Sequence, residues 1–226
     1  MSKNSNKAGK LLSQLLILAL LGFSAYATYR QFASQAEPPP GTGRSELRMI
    51  SVIDGDTGEL SDGELVRYMG IDTPEEGQPF YFDASRKNSE LCLDNKIRLE
   101  YDVKKRDRFG RLLAYVFVED SIMVNEVLVK KGLANVYTFP EDQKNMEYRS
   151  RLTMAQIQAR AEKRGIWSMP PPEPIEKSYL GNPNTFRFHR PDCPAAQRGG
   201  IARMLEYPTR DDFLDLGFSP CRNCKP

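Results

Sequence analysis

The run I-D-G-D-T holds Asp54 and Asp56. The run I-D-T-P-E follows with Asp72, Thr73 and Glu75, a few residues after Arg67 in an apolar segment. These residues offer hard oxygen donors, and calcium takes carboxylates, backbone carbonyls and waters where zinc prefers nitrogen and sulfur. Asp56 and Asp72 supply two anionic oxygens and the carbonyl of Thr73 a neutral one, a set that suits a divalent cation still carrying several waters. Glu75 is spaced to orient one such water or take its proton as a general base. Arg67 brings a permanent positive charge whose guanidinium can donate two parallel hydrogen bonds to a phosphate. A second arginine, Arg111, closes the run K-K-R-D-R-F-G-R at 104–111, where Gly110 permits a tight turn that lets its guanidinium face the same pocket. The chemistry these groups could perform is the attack of water on a phosphodiester.

Each motif has a plainer reading. D-G-D is commonly a turn between strands, an arginine in a strand is commonly the solvated partner of a nearby acid, and D-R-F-G-R reads as a hairpin loop. Their order and spacing together are what carry the functional reading.

Residues 47–167 resemble the staphylococcal nuclease (thermonuclease) family. The resemblance rests on V-I-D-G-D-T (52–57), V-R-Y-M-G-I-D-T-P-E (66–75), D-R-F-G-R-L-L-A-Y-V (107–116), M-V-N-E-V-L-V-K-K-G-L-A (123–134) and G-I-W (165–167). It implies calcium ligation by Asp56, Asp72 and the Thr73 carbonyl, water activation by Glu75, and phosphate binding by Arg67 and Arg111. It also implies an OB-fold and calcium-dependent hydrolysis of DNA and RNA with little sequence preference, leaving 3′-phosphate ends. Two departures concern substrate fit. Phe109 stands where the family often has tyrosine, and the loop at 76–82 is shorter than in the best-known member. Tyr81, Tyr115 and Tyr137 are candidate replacements for the missing hydroxyl or stacking surface, although such aromatics are core residues as a rule.

The elements that must position these groups are legible as alternating apolar positions at 47–53, 65–71, 97–103 and 112–118, with D-G turns at 54–55 and 62–63. Helices are expected at 82–93, 123–131 and 142–163. Short antiparallel strands with about three helices suit an α+β, mainly β architecture, a five-stranded Greek-key barrel whose face and loops commonly bind oligonucleotides.

The 226-residue chain is long enough for one sizeable domain, here 47–168, and a small one at 178–226. Residues 1–30 form an N-terminal hydrophobic helix in which three lysines precede an apolar run at 11–29. Ala25-Tyr26-Ala27 fits a cleavable signal peptide, and the length of the whole run fits a transmembrane anchor. Either reading sends the nuclease-like region to the extracytoplasmic side. Proline-rich linkers are expected at 31–46 and 169–177.

The last segment is too short for a strong core of its own. It holds His189, the only histidine, together with Cys193, Cys221 and Cys224. His-x3-Cys with a distant Cys-x2-Cys suits a closed structural zinc site that would stabilise the segment. A disulfide is the rival, because an exported segment meets oxidising conditions. The stretches at 188–193 and 217–226 resemble the small zinc module of the Ada DNA-repair family. There the first ligand position is a methyl-accepting cysteine. Imidazole cannot take that role, so methyl transfer is not implied. Arg187, Arg190, Arg222 and Lys225 are either nucleic-acid contacts or a solvated basic surface. Cys92 reads as a small buried residue.

Residues 47–168 carry 19 basic and 21 acidic side chains, and the whole chain has a formal net charge of +2. Net charge therefore gives no argument for a polyanionic partner, and any such argument rests on local charge and a bound cation. No protein partner is indicated, and a monomer is expected.

Overall fold

The computed structural model describes residues 46–119, 121–138, 146–198 and 203–226, which form one compact unit. The expected N-terminal helix and first linker lie outside the described residues. Among the described residues, no helix is long and apolar enough to cross a membrane.

The fold is mainly β, with helices packed around a mixed sheet. Strands β1 (Met49–Val52) and β2 (Thr57–Leu60) form an antiparallel hairpin, and β2 pairs with β3 (Leu65–Tyr68) across the Asp62-Gly63 turn. Strand β2 was not among the expected strands. Its T-G-E-L sequence lacks apolar alternation because Gly58 must sit under Met49, where a Cβ would fall 2.3 Å from the Met49 Sδ.

The expected strand at 65–71 is broken. Gly70 takes the left-handed conformation (φ 77°), so β3 ends at Tyr68 and the chain re-forms as β4 (Ile71–Asp72). Strand β4 leaves the main sheet and pairs with β8 (Asn135–Val136), with Asp72 opposite Asn135. This turn re-aims Asp72.

Helix α1 (Tyr81–Cys92) leads to β5 (Ile97–Glu100), which pairs antiparallel with β6 (Leu112–Val118). All seven residues of β6 are buried, as expected of a strand covered on both faces. Strand β6 lies parallel to β3, with Arg67 opposite Leu113, which departs from the expected antiparallel set. The strand order β1-β2-β3-β6-β5 closes into a ring through the Arg48–Lys96 bridge and a 2.7 Å hydrogen bond from the Ile97 N–H to the Leu47 carbonyl. Strand β7 (Ile122–Met123) folds back to pair antiparallel with the end of β6, and helix α2 (Val124–Lys130) follows it. Helix α3 is described over Met146–Ala161, and residues 142–145 of the expected helix lie outside the described set.

Asn125, fully buried on α2, ties the helix to the sheet. Its amide donates to the Met69 carbonyl at 2.7 Å and accepts from the Val116 N–H at 2.9 Å. The core is built from Met49, Leu60, Val66, Tyr68, Val116 and Leu128 among others.

A short 3-10 turn (Gly165–Ser168) leads through 169–178, which contains no helix or strand, to a second small sheet. Its strands are β9 (Tyr179–Asn182), β10 (Arg187–His189), β11 (Leu205–Tyr207) and β12 (Ser219–Pro220), in the order β11-β9-β10-β12. Helices α4 (Pro194–Arg198) and α5 (Arg210–Asp215) complete it. This segment has a small aromatic core of its own, in which Phe188 and Phe213 stack at 5.4 Å. Gly181 is required there, since a Cβ would lie 2.0 Å from the Phe213 ring.

Candidate active site

The I-D-G-D-T turn is wedged rather than merely bent. A Cβ on Gly55 would lie 2.7 Å from both the Ala84 Cβ of α1 and the Thr73 Oγ1, so only glycine lets the loop approach both elements. The loop is also hydrogen-bonded in place. The Asp56 N–H donates to Asp54 Oδ1 at 3.0 Å, and Asn88 of α1 donates to the Asp54 carbonyl at 2.9 Å. Asn88 in turn accepts from the Tyr68 hydroxyl at 2.7 Å, so a fully buried polar pair links β3, α1 and the loop.

Asp56 is thereby buried. Its Oδ2 accepts from the Thr73 N–H at 2.9 Å and the Thr73 hydroxyl at 3.0 Å, and lies 3.0 Å from Arg67 Nη1. Arg67, itself buried, donates through Nη1 to the Tyr68 carbonyl at 2.8 Å and through Nη2 to Asp72 Oδ1 at 3.0 Å. The two carboxylates thus converge on one guanidinium. Burial pushes the Asp56 carboxyl up to about 7. Arg67 opposes that rise, while the neighbouring Asp54 and Asp72 add to it. Asp56 and Asp72 therefore share one buried arginine, with the Asp54 carboxylate close to Asp56. A divalent cation bound to hard oxygen donors would offset this excess of negative charge.

Glu75 lies beyond β4 with its side chain mostly exposed. Its N–H donates to Gln78 Oε1 at 3.0 Å and its carbonyl accepts from the Gln78 N–H at 2.9 Å, a turn closed by Gly77 at φ 81°. Glu75, Asp72 and Thr73 line an open groove of about 1190 Å³.

Arg111 immediately precedes β6, two residues before Leu113, which lies opposite Arg67. Its guanidinium is held within its own loop by Asp107 at 2.7 Å through both Nε and Nη2, and it does not contact the carboxylates of the site. Burial alone would raise the Asp107 carboxyl. Arg111 and the Phe109 and Arg111 N–H groups outweigh this and hold it below the usual carboxylate range. Phe109 is exposed between two cations, with Arg108 4.7 Å and Arg111 5.6 Å from its ring centre. Of the candidate tyrosines, Tyr115 is buried against Tyr148, whereas Tyr137 lines the groove.

At the other end of the chain, the ligating atoms of His189, Cys193, Cys221 and Cys224 lie within 4.8 Å of one another. All four cysteines of the chain are free thiols. His189 Nδ1 is buried without a hydrogen-bond partner, which is the state of a nitrogen that lacks its ligand. Burial, with Arg187 nearby, holds the imidazole below its ordinary pKa and therefore neutral, as ligation requires. Burial would raise the Cys193 thiol, but the Ala195 and Ala196 N–H groups and the neighbouring thiols bring it below its usual value. The donor set fits a soft tetrahedral ion.

The basic residues of this segment separate sharply. Arg190 is buried and donates to the carbonyls of Glu173, Pro174, Cys224 and Lys225. Arg187 donates to the Thr138 carbonyl at 2.8 Å and Ser219 Oγ at 3.0 Å while lying 3.6 Å over the Tyr137 ring. Neither is a solvated surface group. Arg222 instead reaches the carboxylates of the nuclease-like region. Its Nη2 lies 2.6 Å from Asp72 Oδ1 and 3.9 Å from Glu75 Oε1. The sequence offers it, with Arg187, Arg190 and Lys225, as either a nucleic-acid contact or a solvated basic group, and nothing in C-R-N-C indicates the pairing with Asp72.

A family model described as staphylococcal nuclease homologue matches residues 65–169. The chain is 37% identical over 153 residues to endonuclease YncB of Bacillus subtilis, covering 62% of this chain and 71% of that protein. It is 38% identical over 152 residues to a thermonuclease of Staphylococcus hyicus, covering 61% of this chain and 88% of the relative. It is also 41% identical over 133 residues to the prophage-derived endonuclease YokF of Bacillus subtilis, covering 54% of this chain and 44% of that protein.

Proposed function

Since this chain belongs to the staphylococcal nuclease family and is a phosphodiester-hydrolysing nuclease, we propose that it cleaves DNA or RNA with calcium as its cofactor and leaves 3′-phosphate ends. The observation that carries this reading is the convergence of Asp56 and Asp72 on Arg67, with Glu75 exposed in the adjoining groove. The ring of five strands we read as an OB barrel, with the site on its rim.

Asp56 and Asp72, with the Thr73 carbonyl, would hold the cation. Once bound, calcium supplies positive charge against a phosphate oxygen and orders water beside it. Glu75, mostly exposed in the groove with Arg222 3.9 Å away, is the carboxylate we assign to taking a proton from the attacking water. Arg67 has five N–H donors and uses three on Asp56, Asp72 and the Tyr68 carbonyl, so its Nε–H and one Nη2 proton remain for phosphate oxygens. Arg111, held by Asp107 at the entrance to β6, would add charge as the phosphorane-like transition state forms. Water oxygen bonds to phosphorus, the bond to the 5′-oxygen breaks, and that oxygen gains a proton from solvent.

The cluster of His189, Cys193, Cys221 and Cys224 we assign to structural zinc, on the strength of its free thiols and the unpartnered His189 nitrogen. Residues 178–226 then form a metal-stabilised module. Residues 1–30 we assign to export or anchoring, with the nuclease on the calcium-rich outer side of the membrane. Incubating the protein with DNA and with RNA, with calcium or a calcium chelator, tests the reading. Calcium-dependent release of short products is expected, and binding without degradation contradicts it.

A further inference from the structure

The sequence leaves the C-terminal segment without a task, and the structure puts one of its side chains in the nuclease site. The segment is fixed against the nuclease body by buried and specific contacts. Gln156 of α3, fully buried, accepts from the Val136 N–H at 2.8 Å on the strand beside Asp72 and donates to the Leu214 carbonyl at 3.1 Å. Arg149 donates to the Leu216 carbonyl at 2.8 Å and lies 3.5 Å over the Phe186 ring. Gly217 permits close contact with α3, where a Cβ would lie 2.6 Å from the Thr153 Oγ1. The groove between the two parts has Asp72, Glu75 and Tyr137 on one side and Arg222 and Lys225 on the other.

We propose that the C-terminal segment forms the second wall of the substrate groove and that Arg222 binds a phosphate of the nucleic-acid strand, held in place by the His189, Cys193, Cys221 and Cys224 cluster. This rests on the nuclease reading given above. Arg222 follows Cys221, whose N–H donates to the Phe188 carbonyl at 2.9 Å, and the turn is closed by the Lys225 N–H on the Cys221 carbonyl at 2.9 Å. Its backbone is therefore pinned on both sides by cluster residues. Its side chain is different: 58% exposed and lining the groove, with Nη2 engaged on Asp72. The planar guanidinium also lies 5.1 Å over Tyr137, an aromatic face of the kind on which a base stacks. Arg190 and Arg187 are occupied by carbonyl and hydroxyl acceptors, whereas Arg222 reaches across the groove to Asp72 and Glu75. A polyanionic strand approaching Asp72 and Glu75 needs positive charge opposite them, and Arg222 supplies it.

The test is equilibrium binding of a fluorescent single-stranded oligonucleotide to the full chain in calcium-free buffer, so that the readout does not depend on cleavage. Arg222→Ala is expected to weaken binding about tenfold and to reduce the salt dependence by roughly 0.7 in log–log slope. Arg222→Lys should recover part of the affinity. Zinc content and melting temperature should match the unsubstituted protein. Unchanged affinity and slope overturn the proposal. A variant that binds calcium more tightly and turns over faster also overturns it, because Arg222 is then a plug that competes for Asp72. If the unsubstituted protein fails to cleave with calcium yet shows Arg222-dependent binding, the nuclease mechanism fails and the proposal stands.

Discussion

Arg222 Nη2 and Asp72 Oδ1 lie 2.6 Å apart although 150 positions separate them in the chain. Arg67 Nη2 meets the same Asp72 oxygen at 3.0 Å. One carboxylate oxygen thus receives a buried guanidinium from the barrel and an exposed one from the C-terminal wall. The two arginines differ in what their loss should do.

Arg67→Ala should damage both stability and activity. It leaves Asp56 buried without its opposing charge, a loss of about 3–5 kcal/mol for a broken buried pair, and removes a transition-state cation worth roughly a hundredfold or more in rate. Glu75→Gln should lower activity by a factor of about 10² to 10⁴ and leave the melting temperature unchanged, because the side chain is mostly exposed. Thermal melts beside steady-state rates separate the two outcomes.

Gly55→Ala should inactivate the site without touching a reacting group. The added Cβ meets Ala84 and Thr73 at 2.7 Å, so the D-G-D loop must move away from α1 and carry Asp56 with it. Overpacking of this kind costs about 1–3 kcal/mol. Calcium affinity measured by calorimetry should fall at least tenfold, and an unchanged affinity would show that the loop tolerates the shift.

The positions most dependent on the fold were the least legible in sequence. Asp56, Asp72, Glu75 and Arg67 stood out because chemistry demands their types at short spacing, and the structure brings the first two onto Arg67. The strands at 112–118 and the helix beginning near residue 82 followed from apolar periodicity. Strand β2 did not, because Gly58 serves a close contact rather than a pattern. The break at Gly70, which redirects Asp72, reads as an unbroken apolar strand until the left-handed turn is seen. Arg222 was hidden for a different reason: nothing local records a contact made across 150 residues.

Asp107→Asn should lower activity roughly tenfold while sparing stability. Asp107 Oδ2 holds the Arg111 guanidinium through two 2.7 Å contacts while Oδ1 accepts from the Phe109 and Arg111 N–H groups, and a neutral amide has one acceptor oxygen and no charge to serve both. Arg111→Ala should cost more, about a hundredfold, and the double variant should be no worse than Arg111→Ala alone. Rates of the two single variants and the double variant test this, and additive losses would contradict it.

Thiol titration should resolve the four cysteines into two classes. Burial pushes the Cys92 thiol up to about 11, beside the Tyr68 hydroxyl, so it should stay protonated and unreactive at neutral pH until the protein is denatured. Cys193, Cys221 and Cys224 should react together once zinc is chelated, with one zinc released per chain. A metal-free protein carrying a disulfide would overturn the zinc assignment.

The most direct test of the central claim is cleavage of single-stranded DNA as calcium is titrated into zinc-replete protein, with the end groups of the products determined. Activity is expected to rise with calcium, vanish in Asp56→Ala and leave 3′-phosphate ends. Cleavage that persists at full rate without calcium, or survives loss of Asp56, contradicts it.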